Sequence, residues 1–329
     1  MDILYTVNKQ FLPIMLTSMY SLGINSNLND IKLHVVTSDF DKEDFDKLKF
    51  HANNFDNIRL FIYKLEDFPI EMFNIPDWKG SQIANARLFY PRIIKEEHSD
   101  ASTLLYLDSD TIVIDDLNPI TKYSNETLSL CLDDSVPNKY YKNRFDLDKY
   151  YNSGVIYYNL DKFNKLGIED RIRDFNSTNT RYLEYPDQDI INIIFKDYIS
   201  TLDPRYNLSS FSFFYDDLLG YLFFNKLKRQ MSYSFIKEEI DNKAILHSYG
   251  LSGIKPWHNN MVNPFNNYFD SFMNLVDEDS TKEDLEGFKA YLANNQQVMK
   301  LAHICNTYAP TRVKQLTKNI INKVNKKES

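Results

Sequence analysis

A chain of 329 residues, 43% of them hydrophobic and 26% charged, is long enough to bury roughly 70–75% of its unfolded surface in one large α/β domain or in a domain with an appendage. A formal net charge of −8 argues against general nucleic-acid binding, which needs a basic surface to neutralise phosphates. No apolar run approaches the roughly 18 residues of a membrane-span candidate. The N-terminus enters a strand-like run directly, with no basic segment followed by an apolar one, so no secretory signal is expected. Cys131 and Cys305 lie far apart in apolar surroundings and read as buried thiols rather than a disulfide. A cytoplasmic protein is expected.

The chain begins with alternating elements. Residues 3–7 read as a strand, 11–24 as a helix, 31–37 as a strand, 41–55 as a helix and 58–65 as a third strand, an order that predicts parallel pairing. Residues 80–94 read as a helix leading into a fourth strand, which ends at Leu107. The stretch Leu107-Asp108-Ser109-Asp110 therefore closes a strand of an open, mostly parallel sheet, the edge at which such sheets bind ligands. Two carboxylates one residue apart in extended chain point the same way and suit a divalent cation. The plainer alternative is that both acids cap a turn between two strands.

Past a strand at 128–132, the tyrosine-rich stretch 133–151 is too irregular to assign. Asn152-Ser153-Gly154 then leads into a strand over 155–159, where Gly154 either permits close backbone approach to a ligand or marks a simple turn or bulge. Pro186-Asp187-Gln188-Asp189 precedes an apolar helical pattern that Asp187 would N-cap. His247 ends a short strand-like run, followed by Gly250, Gly253, Lys255, Pro256 and Trp257. A histidine there is either structural or a metal ligand beside backbone that can approach a phosphate. With eight glycines in the chain, their placement at 154, 250 and 253 is informative.

The series Asn85-Ala86-Arg87-Leu88, Leu107-Asp108-Ser109-Asp110, Asn152-Ser153-Gly154-Val155, Asp187-Gln188-Asp189 and His247 through Lys255-Pro256-Trp257 resembles the retaining glycosyltransferases of family 8, over about residues 1 to 260. The resemblance implies an α/β GT-A fold, a single Rossmann-like mostly parallel sheet flanked by helices. The domain would span 1–262, with a helical C-terminal extension over 263–329. It further implies a hexosyltransferase that moves galactose or glucose from a UDP-sugar to a glycan, glycolipid or glycoprotein acceptor, using Mn²⁺ or alternatively Mg²⁺. Asp108, Asp110 and His247 would be the metal ligands. Thr6, Asn8, Phe11, Arg87, Asp108, Ser109, Asn152, Ser153, Asp187, Gly250, Gly253 and Lys255 would hold the nucleotide, diphosphate or sugar. Gln188 would lie beside the anomeric carbon, with same-face attack by the acceptor, or a covalent intermediate on Asp187, as the alternatives.

Two features depart from the family pattern. Family members often carry an acidic residue just after the first strand, where this chain has Thr6-Val7-Asn8-Lys9-Gln10-Phe11, and the interval of eight from His247 to Lys255 is about two longer than usual. Two rival functions stand beside this one. One is a sugar-nucleotide-binding or scaffolding protein without turnover; the other is a haloacid-dehalogenase-type phosphatase, whose Asp-x-Asp normally follows the first strand instead of coming after 107 residues.

Outside the resemblance, Ser280-Thr281-Lys282-Glu283 reads as a capping box opening a helix. Between Arg312 and Lys327 lie six basic residues and no acidic one, with apolar residues at helical spacing. This basic amphipathic pattern predicts peripheral contact with the inner face of the cell membrane or with a partner protein, or else a terminal helix packed on its own domain.

Overall fold

The computed structural model describes residues 1–179, 182–210, 238, 240–249, 255–257 and 265–277. Gly250, Gly253, the segment opened by Ser280 and the basic stretch 312–327 lie outside the described residues. Strands β1 (Asp2–Asn8), β2 (Ile31–Ser38) and β3 (Ile58–Lys64) pair in parallel, and β1 pairs in parallel with β4 (Thr103–Leu107) on its other side. The remaining described strands are β5 (Thr111–Val113), β6 (Leu128–Leu132), β7 (Tyr151–Asn159), β8 (Ile199–Thr201), β9 (Leu208–Ser209) and β10 (Ile245–His247). The seven-stranded sheet runs in the order β3-β2-β1-β4-β7-β6-β8, with β7 antiparallel to both its neighbours. A mostly parallel α/β sheet is thus present as expected. A second, three-stranded sheet in the order β5-β10-β9 lies beyond it.

The helices among the described residues are α1 (Leu12–Asn25), α2 (Lys42–Ala52), α3 (Tyr90–Glu97), α4 (Asn138–Phe145), α5 (Leu160–Asn164), α6 (Ile168–Thr178), α7 (Pro186–Ile194) and α8 (Asn266–Asp277). Alternate residues of the central strands feed two apolar layers. Ile3, Tyr5, Val7, Leu105 and Leu107 face one; Leu4, Leu104 and Tyr106 face the other. Strands buried on both faces need near-continuous apolar runs, which is why the sequence shows them so clearly. Helix α1 is buried along most of its length because the sheet covers one side and α8 packs on it. Phe269, Phe272, Leu275 and Val276 of α8 join that core, each contributing about 1.5–3 kcal/mol by burial.

Several expectations change locally. The helix expected over 80–94 is a 3₁₀ segment, Ile83–Leu88, followed by α3 with a proline in its first turn. The stretch 133–151, read as irregular, contains α4. Asn152-Ser153-Gly154 do not precede the strand but lie inside β7. Asp187 is not the N-cap of α7; Tyr185 holds that position, and the Asp187 side chain is committed elsewhere. Among the described residues no helix is long and apolar enough to cross a membrane.

Candidate active site

Asp108 and Asp110 occupy a turn between β4 and β5, and their carboxylates nevertheless face one point. The turn is closed by Thr111, whose N–H and Oγ1 donate to the Asp108 carbonyl at 3.2 and 2.8 Å. Pairing then delivers the other groups. β7 runs antiparallel to β4 with Val155 opposite Leu107, which sets Gly154 beside Asp108, and the Asp108 N–H donates to the Gly154 carbonyl at 2.8 Å. β10 runs antiparallel to β5 with His247 opposite Thr111. His247 Nε2 consequently lies 3.1 Å from Asp110 Oδ1 and 3.4 Å from Asp108 Oδ2.

Ligand atoms of Asp108, Asp110 and His247 lie within 4.8 Å of one another. Two hard oxygen donors and an imidazole form a set suited to a first-row divalent ion such as Mn²⁺. The packing around them is built for that convergence: a Cβ on Gly154 would stand 2.0 Å from His247 Cε1 and 2.7 Å from Asp108 Oδ2. The residues present therefore fit a bound divalent cation. Cationic side chains of the chain itself also surround the two acids. Burial opposes ionisation of both acids, but Arg87 and His247 hold Asp108 below the usual carboxylate range, and Lys255 and His247 do the same for Asp110. Burial alone would lower His247, yet the two carboxylates outweigh it and push it up to about 9. Lys255 Nζ sits 2.5 Å from Asp110 Oδ2.

Arg87, on the 3₁₀ segment, ties the Asp108 cluster to Asp187 and Ser153. Its Nη2 meets Asp108 Oδ1 at 2.8 Å, its Nε meets Asp187 Oδ2 at 3.2 Å, and Nη1 donates to the Ser153 carbonyl at 2.7 Å. The guanidinium also lies over the Tyr106 ring, 4.5 Å from its centroid. Tyr106, two residues before Asp108 on the same face of the strand, donates to Asp108 Oδ1 at 2.6 Å and meets Thr6 Oγ1 at 3.0 Å. Oδ1 is thus taken by two donors, and Oδ2 faces His247.

Asp187 and Gln188 lie in the first turn of α7, which packs on β7. Asn192 fixes that packing by reading the Tyr151 backbone from both sides: its Oδ1 accepts from the N–H at 2.7 Å and its Nδ2 donates to the carbonyl at 2.8 Å. Asp189 is held by the hydroxyls of Tyr140 and Tyr150. Ser153 Oγ donates to Asp187 Oδ2 at 2.8 Å, and Gln188 Oε1 accepts from Ser153 N–H at 3.0 Å and Asn152 Nδ2 at 3.2 Å. Gln188 Nε2 donates to Asp133 Oδ2 at 3.1 Å, as does Asn152 Nδ2. Asp133 is a site carboxylate not singled out from sequence. Its signal was there, an acid directly after the apolar strand β6, as Asp108 directly follows β4.

At the carboxyl end of β1, Asn8 Oδ1 accepts from the Phe11 N–H at 3.1 Å, and Phe11 is 37% exposed, meeting Trp257 edge-to-face with centroids 6.2 Å apart. Ser109 Oγ donates to the Thr6 carbonyl at 3.3 Å. Of the candidate residues described, Thr6, Arg87, Asp108, Ser109, Asp110, Asn152, Ser153, Asp187, Gln188, His247 and Lys255 are linked by the contacts given above. Asn8 and Phe11 border them on the Trp257 side.

Residues 2–261 match glycosyl transferase family 8. The lipopolysaccharide 1,2-glucosyltransferase of Escherichia coli is 25% identical over 268 residues, 78% of this chain and 73% of the relative. A crystal structure of the galactosyltransferase LgtC, in complex with donor and acceptor sugar analogs, superposes with a TM-score of 0.67 at 22% identity, covering 83% of this chain and 95% of that one. Mouse xyloside xylosyltransferase 1 shares the fold with a TM-score of 0.55 at 13% identity, over 77% of this chain and 100% of its own. The chain belongs to glycosyl transferase family 8 and is a hexosyltransferase with the GT-A fold.

Proposed function

We propose that the protein transfers galactose or glucose from a UDP-sugar to a hydroxyl of a glycan, glycolipid or glycoprotein with retention of anomeric configuration, using Mn²⁺. The observation that carries this reading is the convergence of Asp108, Asp110 and His247 on one side of Arg87 and of Asp187, Gln188 and Asn152 on the other. Asp108, Asp110 and His247 would hold the ion, which when bound neutralises the charge that develops on the departing diphosphate. Lys255 adds a second positive charge at the same place. Thr6, Asn8 and Phe11 would meet the uridine, with the exposed Phe11 ring as a stacking surface, and Asn152, Ser153 and Asp187 would hold sugar hydroxyls.

Same-face attack is favoured over a covalent intermediate. Asp187 Oδ2 is engaged by Arg87 and Ser153, which reduces its nucleophilicity, and an amide such as Gln188 is a poor nucleophile. In the proposed step the bond from C1 to the diphosphate oxygen breaks and UDP takes the electron pair. An acceptor hydroxyl bonds to C1 from the same face, and its proton passes to the departing phosphate oxygen. The oxygens of Asp133, Asp187 and Gln188 favour the positive charge that develops on the sugar. Gln188 acts as a fixed dipole, since Ser153 N–H and Asp133 hold both ends of its amide.

A panel of UDP-sugars incubated with the full chain and Mn²⁺ tests the donor. UDP-galactose or UDP-glucose should release UDP slowly, and EDTA should stop release; no UDP from any donor refutes turnover. The same proposal takes residues 1–262 as the catalytic domain and 263–329 as an extension whose helix α8 is seated on α1. The six basic residues between Arg312 and Lys327 support peripheral contact with an anionic membrane or a partner protein. Equal liposome binding by the full chain and by a chain ending at Ala309 would rule out the membrane role.

A further inference from the structure

Asn207 lies where the short strand β9 begins, and β9 pairs with β10 so that Ser209 is opposite His247. Its side chain is buried, 2% exposed, between the metal ligand and the sugar-side amides. Which end of each amide points where is fixed by backbone donors, whose polarity is not open to choice. Gly154 N–H donates at 2.9 Å to one side-chain atom of Asn152, which must therefore be its oxygen, Oδ1. The Asn207 atom 2.8 Å from that same oxygen must be a donor, its Nδ2. The other end of Asn207 is then its carbonyl oxygen, 2.8 Å from His247 Nδ1. An oxygen there demands a proton on Nδ1. That makes Nε2, at the point faced by Asp108 and Asp110, the nitrogen that can give up its proton to bind a cation.

We propose that Asn207 is a positioning residue that couples the metal half of the site to the sugar half: its carbonyl fixes the His247 ring with Nε2 as the ligand atom, and its amino group fixes Asn152. The inference rests on the reading of Asp108, Asp110 and His247 as metal ligands. It adds a division of labour between the two ends of one amide. Partners of a metal-ligating histidine are worth about 10–100-fold in metal affinity. An amide that also carries the polarity of Gly154 N–H through Asn152 affects turnover by a separate route.

The two ends are separable by substitution. Asn207→Asp keeps an oxygen for Nδ1–H and removes the donor to Asn152; Asn207→Ala removes both. Binding of Mn²⁺ alone, read from the EPR signal of the free ion, should be at least about 10-fold weaker in Asn207→Ala. In Asn207→Asp it should be as tight as in the wild type or tighter. UDP release at saturating Mn²⁺ should fall about 10-fold or more in both. If Asn207→Asp loses Mn²⁺ binding together with turnover, or keeps both, the proposal is overturned. Should either variant not fold, the wild-type protein loaded with Mg²⁺ decides, because its ¹⁵N spectrum should show His247 Nδ1 protonated, and an unprotonated Nδ1 overturns the proposal. A wild type that binds no Mn²⁺ overturns the metal reading as well, whereas wild-type binding with indifferent variants overturns this inference alone.

Discussion

A side chain on Gly154 would begin 2.0 Å from Cε1 of His247 and 2.6 Å from its Nδ1. The strand β7 can pass this close to the histidine only because residue 154 has no Cβ, and the approach brings the Gly154 carbonyl within reach of the Asp108 N–H. Gly154→Ala must displace His247 or Asp108. Overpacking of this kind costs about 1–3 kcal/mol, and loss of ligand geometry should weaken Mn²⁺ on the order of 10- to 100-fold. Calorimetric titration of Mn²⁺ into a folded Gly154→Ala protein checks this, and wild-type affinity would contradict the proposed ligand geometry.

Arg87 is buried and paired with Asp108 and Asp187. Arg87→Met leaves two carboxylates facing each other without the guanidinium, which should cost about 3–5 kcal/mol. A bound divalent ion offsets part of the deficit by restoring positive charge at Asp108. Urea unfolding should show a large loss of stability in EDTA and a clearly smaller one in Mn²⁺. The same loss in both would mean that Arg87 acts only through packing.

Two histidines give the metal-free protein stability slopes of opposite sign. Burial alone would lower His247, but Asp110 and Asp108 push it up to about 9. The folded state keeps a proton that the unfolded chain releases near 6.5, so this contribution is complete below about pH 6.5 and is lost as the pH rises through about 9. His34, buried on β2 with Nε2 2.9 Å from Asp2 Oδ1, is lowered by burial in spite of Asp2. Its contribution is complete above about pH 6.5 and is lost as the pH falls below that value. Urea midpoints in EDTA should therefore decline on both sides of about pH 6.5. His34→Gln should flatten the acid limb, and an unchanged limb would assign it to other groups. Mn²⁺ should stabilise more at pH 8.5 than at pH 6, because the ligand imidazole must lose its proton.

How far the sequence foretold this site depends on the length of the element carrying each residue. Asp108 and Asp110 follow the apolar strand β4, and β1 and β4 are near-continuous apolar runs because both faces of the sheet are covered there. These were legible. Gly154 read as a close approach to a ligand or a turn, whereas the close approach in the structure is to His247 and Asp108; its place inside β7 was not legible, since Asn152 and Ser153 are polar residues in a strand interior, a pattern that reads as a turn. Asn207 was not legible at all: β9 spans Leu208–Ser209, too short for any periodicity, and its place beside His247 comes from pairing with β10. Asp187 fitted an N-cap by local rules, yet its carboxylate serves Arg87 and Ser153 across the fold. Helix α6 did carry an apolar repeat, Ile168, Ile172 and Phe175, and went unassigned because polar residues dominate it.

On the proposed function, Asp108, Asp110 and His247 hold the ion that drives departure of UDP. The most direct measurement compares UDP release from UDP-galactose and UDP-glucose by the wild type and by Asp110→Asn, each with Mn²⁺ and with EDTA. Release by the wild type should depend on Mn²⁺ and should fall at least about 100-fold in the variant, about 2.7 kcal/mol of transition-state stabilisation. Near-wild-type release by a folded Asp110→Asn protein, or release that EDTA leaves untouched, would contradict it.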